Sequence, residues 1–108
     1  MQRSVERAAE NEATFRKANE RLEEKAAEFG FEEERTPYLC ECEETRCTEV
    51  MGLTRAEYEA VRANPKSFVL VPGHQGADDA VLREEAGFIM IEKTGEEGKL
   101  VAERDPRA

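Results

Sequence analysis

The sequence predicts an α+β domain, on three observations. A long stretch without Gly or Pro opens the chain, short apolar runs suited to strands follow, and capping and turn signals divide those runs at short intervals. The expected architecture is a long N-terminal helix, a cysteine-bearing loop or hairpin, and a small, mostly antiparallel sheet with two short helices.

Residues 4–29 are rich in Ala, Glu, Arg and Leu and are followed by Gly30, where a helix C-terminal glycine belongs, so one long helix is predicted there. Glu12 and Arg16 stand four residues apart with the acid first, a pairing that supports a solvated helix face. Ala8, Phe15, Leu22 and Phe29 recur every seven residues and read as the inward stripe. Val5, Glu12, Asn19 and Ala26 fill the second seam position, and two of those four are polar, which weakens a coiled-coil reading. The helix is expected to lay Phe15, Leu22 and Phe29 on the domain's own sheet, or to offer a surface for self-association or a protein partner. Phe15, Arg16, Asn19 and Leu22 are the candidate contact residues for such a partner.

From Phe31 to Glu49 the composition changes: the chain turns strongly acidic, and all three cysteines sit here. Thr54-Arg-Ala-Glu57 is a capping box, with Tyr58 and Val61 at helical spacing and Asn64-Pro65 as a stop, predicting a short helix near 55–63. Ser67 to Val71 reads as a strand apolar on both faces, and Pro72-Gly73 as a type II turn from Val71 to His74. Residues 77–86 are expected to form a second short helix closed by Gly87. Phe88–Lys93 and Lys99–Glu103 then flank TGEEG as an expected β-hairpin, and the tail from Asp105 to Ala108 should fray. In domain terms, 1–30 is the long helix, 31–104 a compact α+β body and 105–108 a flexible tail.

At 108 residues the chain fits one domain. With 39% apolar residues and no Trp its core is modest, a setting in which a metal or partner helps. A net charge of −9 opposes the phosphate backbone and anionic membrane surfaces, so neither nucleic acid nor membrane is an expected partner. The N-terminus lacks an apolar secretory core and no apolar run approaches a membrane span, which together point to the cytoplasm. In that reducing setting, three cysteines read as metal ligands or redox thiols rather than as disulfides.

Cys40-Glu-Cys42, a four-residue gap, Cys47, and the single histidine, His74, supply three thiolates and one imidazole, the ligand set of tetrahedral structural zinc. An extended Cys-Glu-Cys segment projects both sulfurs to one side, and the Pro-Gly turn presents His74 from a strand end. The alternative is a thiol-based redox or metal sensor, against which Glu41, Glu43 and Glu44 count by holding the thiols protonated. A small metalloenzyme would need an open coordination position, and no H-x-E or P-C-x-x-C motif accompanies the cysteines. No catalytic residue is predicted, and the functional expectation is a zinc-stabilised cytoplasmic interaction or regulatory module.

The combination of NEATFRKANERLEE, YLCEC with Cys47 beyond it, and LTRAEYEAVRANPKSFVLVPGH resembles a family of small uncharacterised bacterial proteins. The likeness runs from about Ala9 to His74. It implies a recurrent small domain and carries over no catalytic residue. Glu43-Glu44 follow the second cysteine where related chains have Gly or Asp.

Overall fold

Val5–Glu28 form a single helix, α1, ended as Gly30 predicts. Gly30 takes φ +74. Its N–H bonds the Ala27 carbonyl at 3.1 Å and the Phe31 N–H bonds that of Ala26 at 2.8 Å, the paired bonds of a Schellman motif. The computed structural model describes residues 5–44 and 46–107.

The inward face of α1 is not the one expected. Ala8, Ala9, Glu12, Arg16, Asn19, Glu23 and Ala26 are buried, whereas Phe29 is 69% exposed and Phe15 and Leu22 are only half-buried. The polar seam goes in because the rest of the chain meets it with matching groups. Arg16 donates to the carbonyls of Pro65 and Ser67. Its guanidinium also lies 3.8 Å over the Phe68 ring, where a cation meets the negative face of the aromatic system. Asn19 pairs with the Leu39 backbone in both directions, donating to its carbonyl at 2.9 Å and accepting from its N–H at 2.8 Å. Two candidate partner-contact residues, Arg16 and Asn19, are thus spent inside the fold.

Thr36–Leu39 (β1) and Val50–Leu53 (β2) pair antiparallel, Thr36 opposite Leu53 and Leu39 opposite Val50, so the cysteine segment is the loop of a hairpin. Arg55–Arg62 (α2) starts on the predicted capping box: the Glu57 N–H donates to Thr54 Oγ1 and the Thr54 N–H to Glu57 Oε1. Ser67–Leu70 (β3) is buried throughout. Ala80–Glu84 (β4) and Ile89–Glu92 (β5) complete a second antiparallel sheet in the order β3-β5-β4.

Two expected elements are replaced. The helix over 77–86 is instead the edge strand β4, which pairs with β5 through a register irregularity between Val81 and Arg83 and turns back through Glu85, whose N–H bonds the Phe88 carbonyl. Its residues are largely exposed, so no buried periodicity marked it in the sequence, and the free backbone edge of β5 decided its conformation. The hairpin around TGEEG is a strand followed by a helix, Gly95–Glu103 (α3), packed on α1. Gly95 at φ +61 turns the chain out of β5, and Gly98 lets α3 approach: a Cβ there would lie 2.6 Å from the Lys93 carbonyl oxygen. The adjacent pair Leu100-Val101 suits a helix better than a strand, where neighbours face opposite ways.

The expected tail is tied down as far as it is described. Asp105 pairs with Arg62 and lies 3.7 Å from Arg16, and Arg107 reaches Glu20, Glu23 and Glu59. The C-terminal segment therefore laces α1 to α2. Among the described residues no helix is long and apolar enough to cross a membrane.

Glu12 on α1 meets Lys93 at 2.6 Å, and Lys93 also binds Asp79 at 2.8 Å. Burial, reinforced by a hydrogen bond with Glu97, pushes the Glu12 carboxyl up to about 9 despite Lys93. The folded state therefore holds a proton that the unfolded chain releases near the ordinary 4.5, and this group makes stability fall as pH rises between those values. Glu12→Gln should flatten the slope, by at most about 1.4 kcal/mol per pH unit, in urea unfolding curves recorded from pH 5 to pH 9. Gly98→Ala should destabilise by about 1–3 kcal/mol in the same assay through overlap with the Lys93 carbonyl, although Ala is the better helix former.

Candidate metal centre

Beyond Leu39 the chain runs alongside β3 through Glu41 and bends at Cys42. The Glu41 N–H donates to the Val69 carbonyl at 2.9 Å, and the Val71 N–H donates to Cys40 Sγ at 3.2 Å. Alternation in this extended segment sends Cys40 and Cys42 to one side, as the spacing predicts, and Glu41 to the other. Cys40 and Cys42 are buried, and Cys47 returns from the loop half-buried.

Glu41 is fully buried. Its Oε2 accepts from Asn19 Nδ2 at 2.8 Å and its Oε1 from the Val69 N–H at 3.0 Å. Burial pushes its carboxyl up and nearby Arg16 pulls it back. Both oxygens already face obligate donors, so the carboxylate is the form this geometry satisfies. The acid between the two cysteines thus belongs to the core network rather than to the field around the sulfurs, contrary to the sequence expectation for Glu41.

His74 arrives on the predicted turn: Gly73 takes φ +95 and the His74 N–H bonds the Val71 carbonyl at 3.0 Å. Its Nδ1 stands 3.5 Å from Cys40 Sγ and 3.7 Å from Cys47 Sγ, while Nε2 lies 2.8 Å from a Glu49 carboxylate oxygen. A proton on Nε2 directed at Glu49 leaves the Nδ1 lone pair facing the sulfurs, the orientation a carboxylate imposes on a metal-binding histidine. One ligand atom from each of Cys40, Cys42, Cys47 and His74 lies within 4.8 Å of all the others, so the group could hold a metal ion.

All four predicted residues are therefore brought together. Glu49 is the member that sequence reasoning missed: one exposed acid in an acidic loop carries no mark, and only the pairing of Cys40 with Glu49 across the hairpin brings it to the imidazole. Burial, with the other sulfurs close by, holds the Cys40 thiol above its ordinary range, and burial likewise raises Cys42. The buried Cys40 and Cys42 thiols stay protonated unless a cation joins them, and a coordinated ion removes such protons outright. A second cluster, Glu12, Glu43 and Glu97, gathers near Lys93, whose ammonium already supplies positive charge there.

No protein-family model, curated protein or solved structure matches the chain.

Removing the Glu41 carboxylate leaves the buried Arg16 guanidinium without the strongest of the opposing charges that act on it. Glu41→Ala should therefore destabilise the fold by about 3–5 kcal/mol, read from the shift of the denaturant midpoint at constant m.

Proposed function

We propose that Cys40, Cys42, Cys47 and His74 bind zinc, and that the ion is a structural clamp in a small interaction or regulatory module rather than a catalytic centre. The observation that carries this reading is the spacing of donors around His74 Nδ1. Tetrahedral bonds of about 2.3 Å to sulfur and about 2.0–2.1 Å to nitrogen place those atoms roughly 3.6 Å apart. The two distances here are 3.5 Å to Cys40 and 3.7 Å to Cys47. The Val71 N–H bonded to Cys40 and the Glu49 carboxylate on His74 supply the outer contacts that orient such ligands.

Three thiolates and an imidazole satisfy zinc, and four protein ligands leave no position for a substrate or an activated water. Closing the site joins the hairpin loop to the end of β3, so binding energy becomes folding energy for a core with few large side chains. Reduced thiols kept for metal suit a reducing compartment such as the cytoplasm. A protein partner or second copy would then meet α1 beside Phe15, since Arg16 and Asn19 are occupied within the fold and Leu22 packs against the core.

Elemental analysis of the purified chain should find about one zinc per molecule, retained through dialysis. Cys42→Ser and His74→Ala should both lose it, and the melting temperature should fall by more than about 10 °C. Wild-type protein without metal, or with iron in its place, overturns the zinc reading. Zinc kept by His74→Ala but lost by Cys42→Ser overturns the closed structural site and indicates an open coordination position.

A further inference from the structure

The four ligands are not held alike. Cys40 is fastened from two directions: its sulfur accepts the Val71 N–H at 3.2 Å, and its neighbour Glu41 is locked by Asn19 and Val69. Cys47 lies half-buried in a loop held at its two ends, by Asn11 Nδ2 on the Glu43 carbonyl at 3.4 Å and by the Cys40 N–H on the Glu49 carbonyl at 3.1 Å, while the described backbone N–H bonds beside Cys47 are short-range, its own to the Glu44 carbonyl and that of Arg46 to Glu44 Oε1. Cys42 stands between these halves, with its sulfur within 4.8 Å of both others. It also lines a cavity of about 270 Å³ together with Glu43, Glu44, His74, Gln75 and Gly76. The cavity gives a small molecule an approach to Cys42, which is otherwise only 2% exposed, and the two acids on its wall favour a neutral visitor over an anionic one.

We infer that the centre is a redox-released clamp: a small neutral hydroperoxide oxidises Cys42, Cys47 closes a Cys42–Cys47 disulfide, and the zinc leaves. The inference rests on the zinc reading above. Metal-bound sulfurs are already thiolates, the reactive form. The Cys42 sulfur attacks one peroxide oxygen; the O–O bond breaks, the departing alkoxide or hydroxide takes a proton, and Cys42 becomes a sulfenic acid. The Cys47 thiolate then attacks that sulfur and expels hydroxide, which takes a second proton. In sum, two thiolates, one hydroperoxide and two protons give one disulfide, one alcohol (or water, from hydrogen peroxide) and one water.

Cys40 is the poor participant, because its lone pair is engaged by the Val71 N–H and its backbone is pinned to β3. After oxidation only Cys40 and His74 remain as ligands, half of a tetrahedral shell. The lightly anchored stretch around Cys47 then loses its attachment to β3, while the segment held by Glu41 stays. The resulting signal is local loosening of one loop on an intact domain, an opening confined to the least stabilised part of the fold.

The test uses full-length protein whose zinc content has first been measured, treated with hydrogen peroxide in the presence of a chromogenic zinc chelator. Expected are release of about one zinc per chain with loss of two thiols, and recovery of both after a thiol reductant with added zinc. Cleavage after Glu41 separates Cys40 from Cys42, and mass spectrometry should then find Cys42 linked to Cys47 and Cys40 free. Hydrogen exchange should quicken at least tenfold over Arg46–Glu49 and stay unchanged in β3. Anionic peroxydisulfate should release zinc more slowly than hydrogen peroxide. Zinc that stays bound under peroxide, a disulfide that includes Cys40, or exchange that quickens across the whole domain overturns the inference while leaving the zinc site standing. A purified chain without zinc overturns both, and the initial metal measurement separates the two failures.

Discussion

Glu41 is a carboxylate sealed from water between two cysteines, and most of what is distinctive in this fold passes through it. Burying an ionised acid is expensive unless each oxygen finds a donor and a compensating charge lies close. Here the donors come from α1 through Asn19 and from β3 through Val69, and the charge from Arg16. Satisfying one side chain therefore fixes the distance between the long helix, the hairpin and the second sheet. Because Glu41 points inward, alternation sends Cys40 and Cys42 to the opposite side together, where the turn after β3 delivers His74. The core network and the group that could hold a metal ion are the two faces of one short segment.

This arrangement explains how α1 can pack with a polar seam. Glu12, Arg16, Asn19 and Glu23 face inward at helical spacing, and each meets a partner distant in the chain: Lys93, the carbonyls of Pro65 and Ser67, the Leu39 backbone, and Arg107. Such contacts are directional, so they specify one rotation and one depth of the helix where an oily stripe would tolerate several. Apolar support comes from the body beside it, where Tyr38 and Tyr58 stack at 4.5 Å and Phe68, Ile89 and Ile91 fill the sheet interface. A small core with an internal ionic lattice benefits from one further cross-link, and the cysteine and histidine cluster lies on the other side of the segment that Glu41 ties to that lattice.

The acidic surplus has a structural outlet as well. Several carboxylates that looked like solvated surface charge are engaged: Glu20, Glu23 and Glu59 around Arg107, Asp105 with Arg62, and Asp79 with Lys93. The C-terminal Asp105-Pro-Arg107 segment is thereby part of the fold, holding α1 against α2 from outside.

What the amino-acid sequence determined by itself was everything set within a few residues: the run of α1 and its Gly30 ending, the Thr54–Glu57 capping box, the Pro72-Gly73 turn, the lack of a run long and apolar enough for a membrane-crossing helix, and the residue types of a three-cysteine, one-histidine group that could hold a metal ion. These depend on backbone propensity, capping and side-chain type, which act locally. Tertiary structure decided which face of α1 turns inward, that Ala80–Glu84 is a strand and Gly95–Glu103 a helix, and that Glu49 orients His74. Each of those outcomes rests on a partner far along the chain or on a close approach between elements. Lys93 and Asp105 meet the seam, the open edge of β5 recruits β4, Gly98 admits the Lys93 carbonyl as α3 settles on α1, and the hairpin register sets Glu49 beside the imidazole. A polar residue reads as surface until the group that satisfies it is in place, and that group is supplied only when the chain has folded.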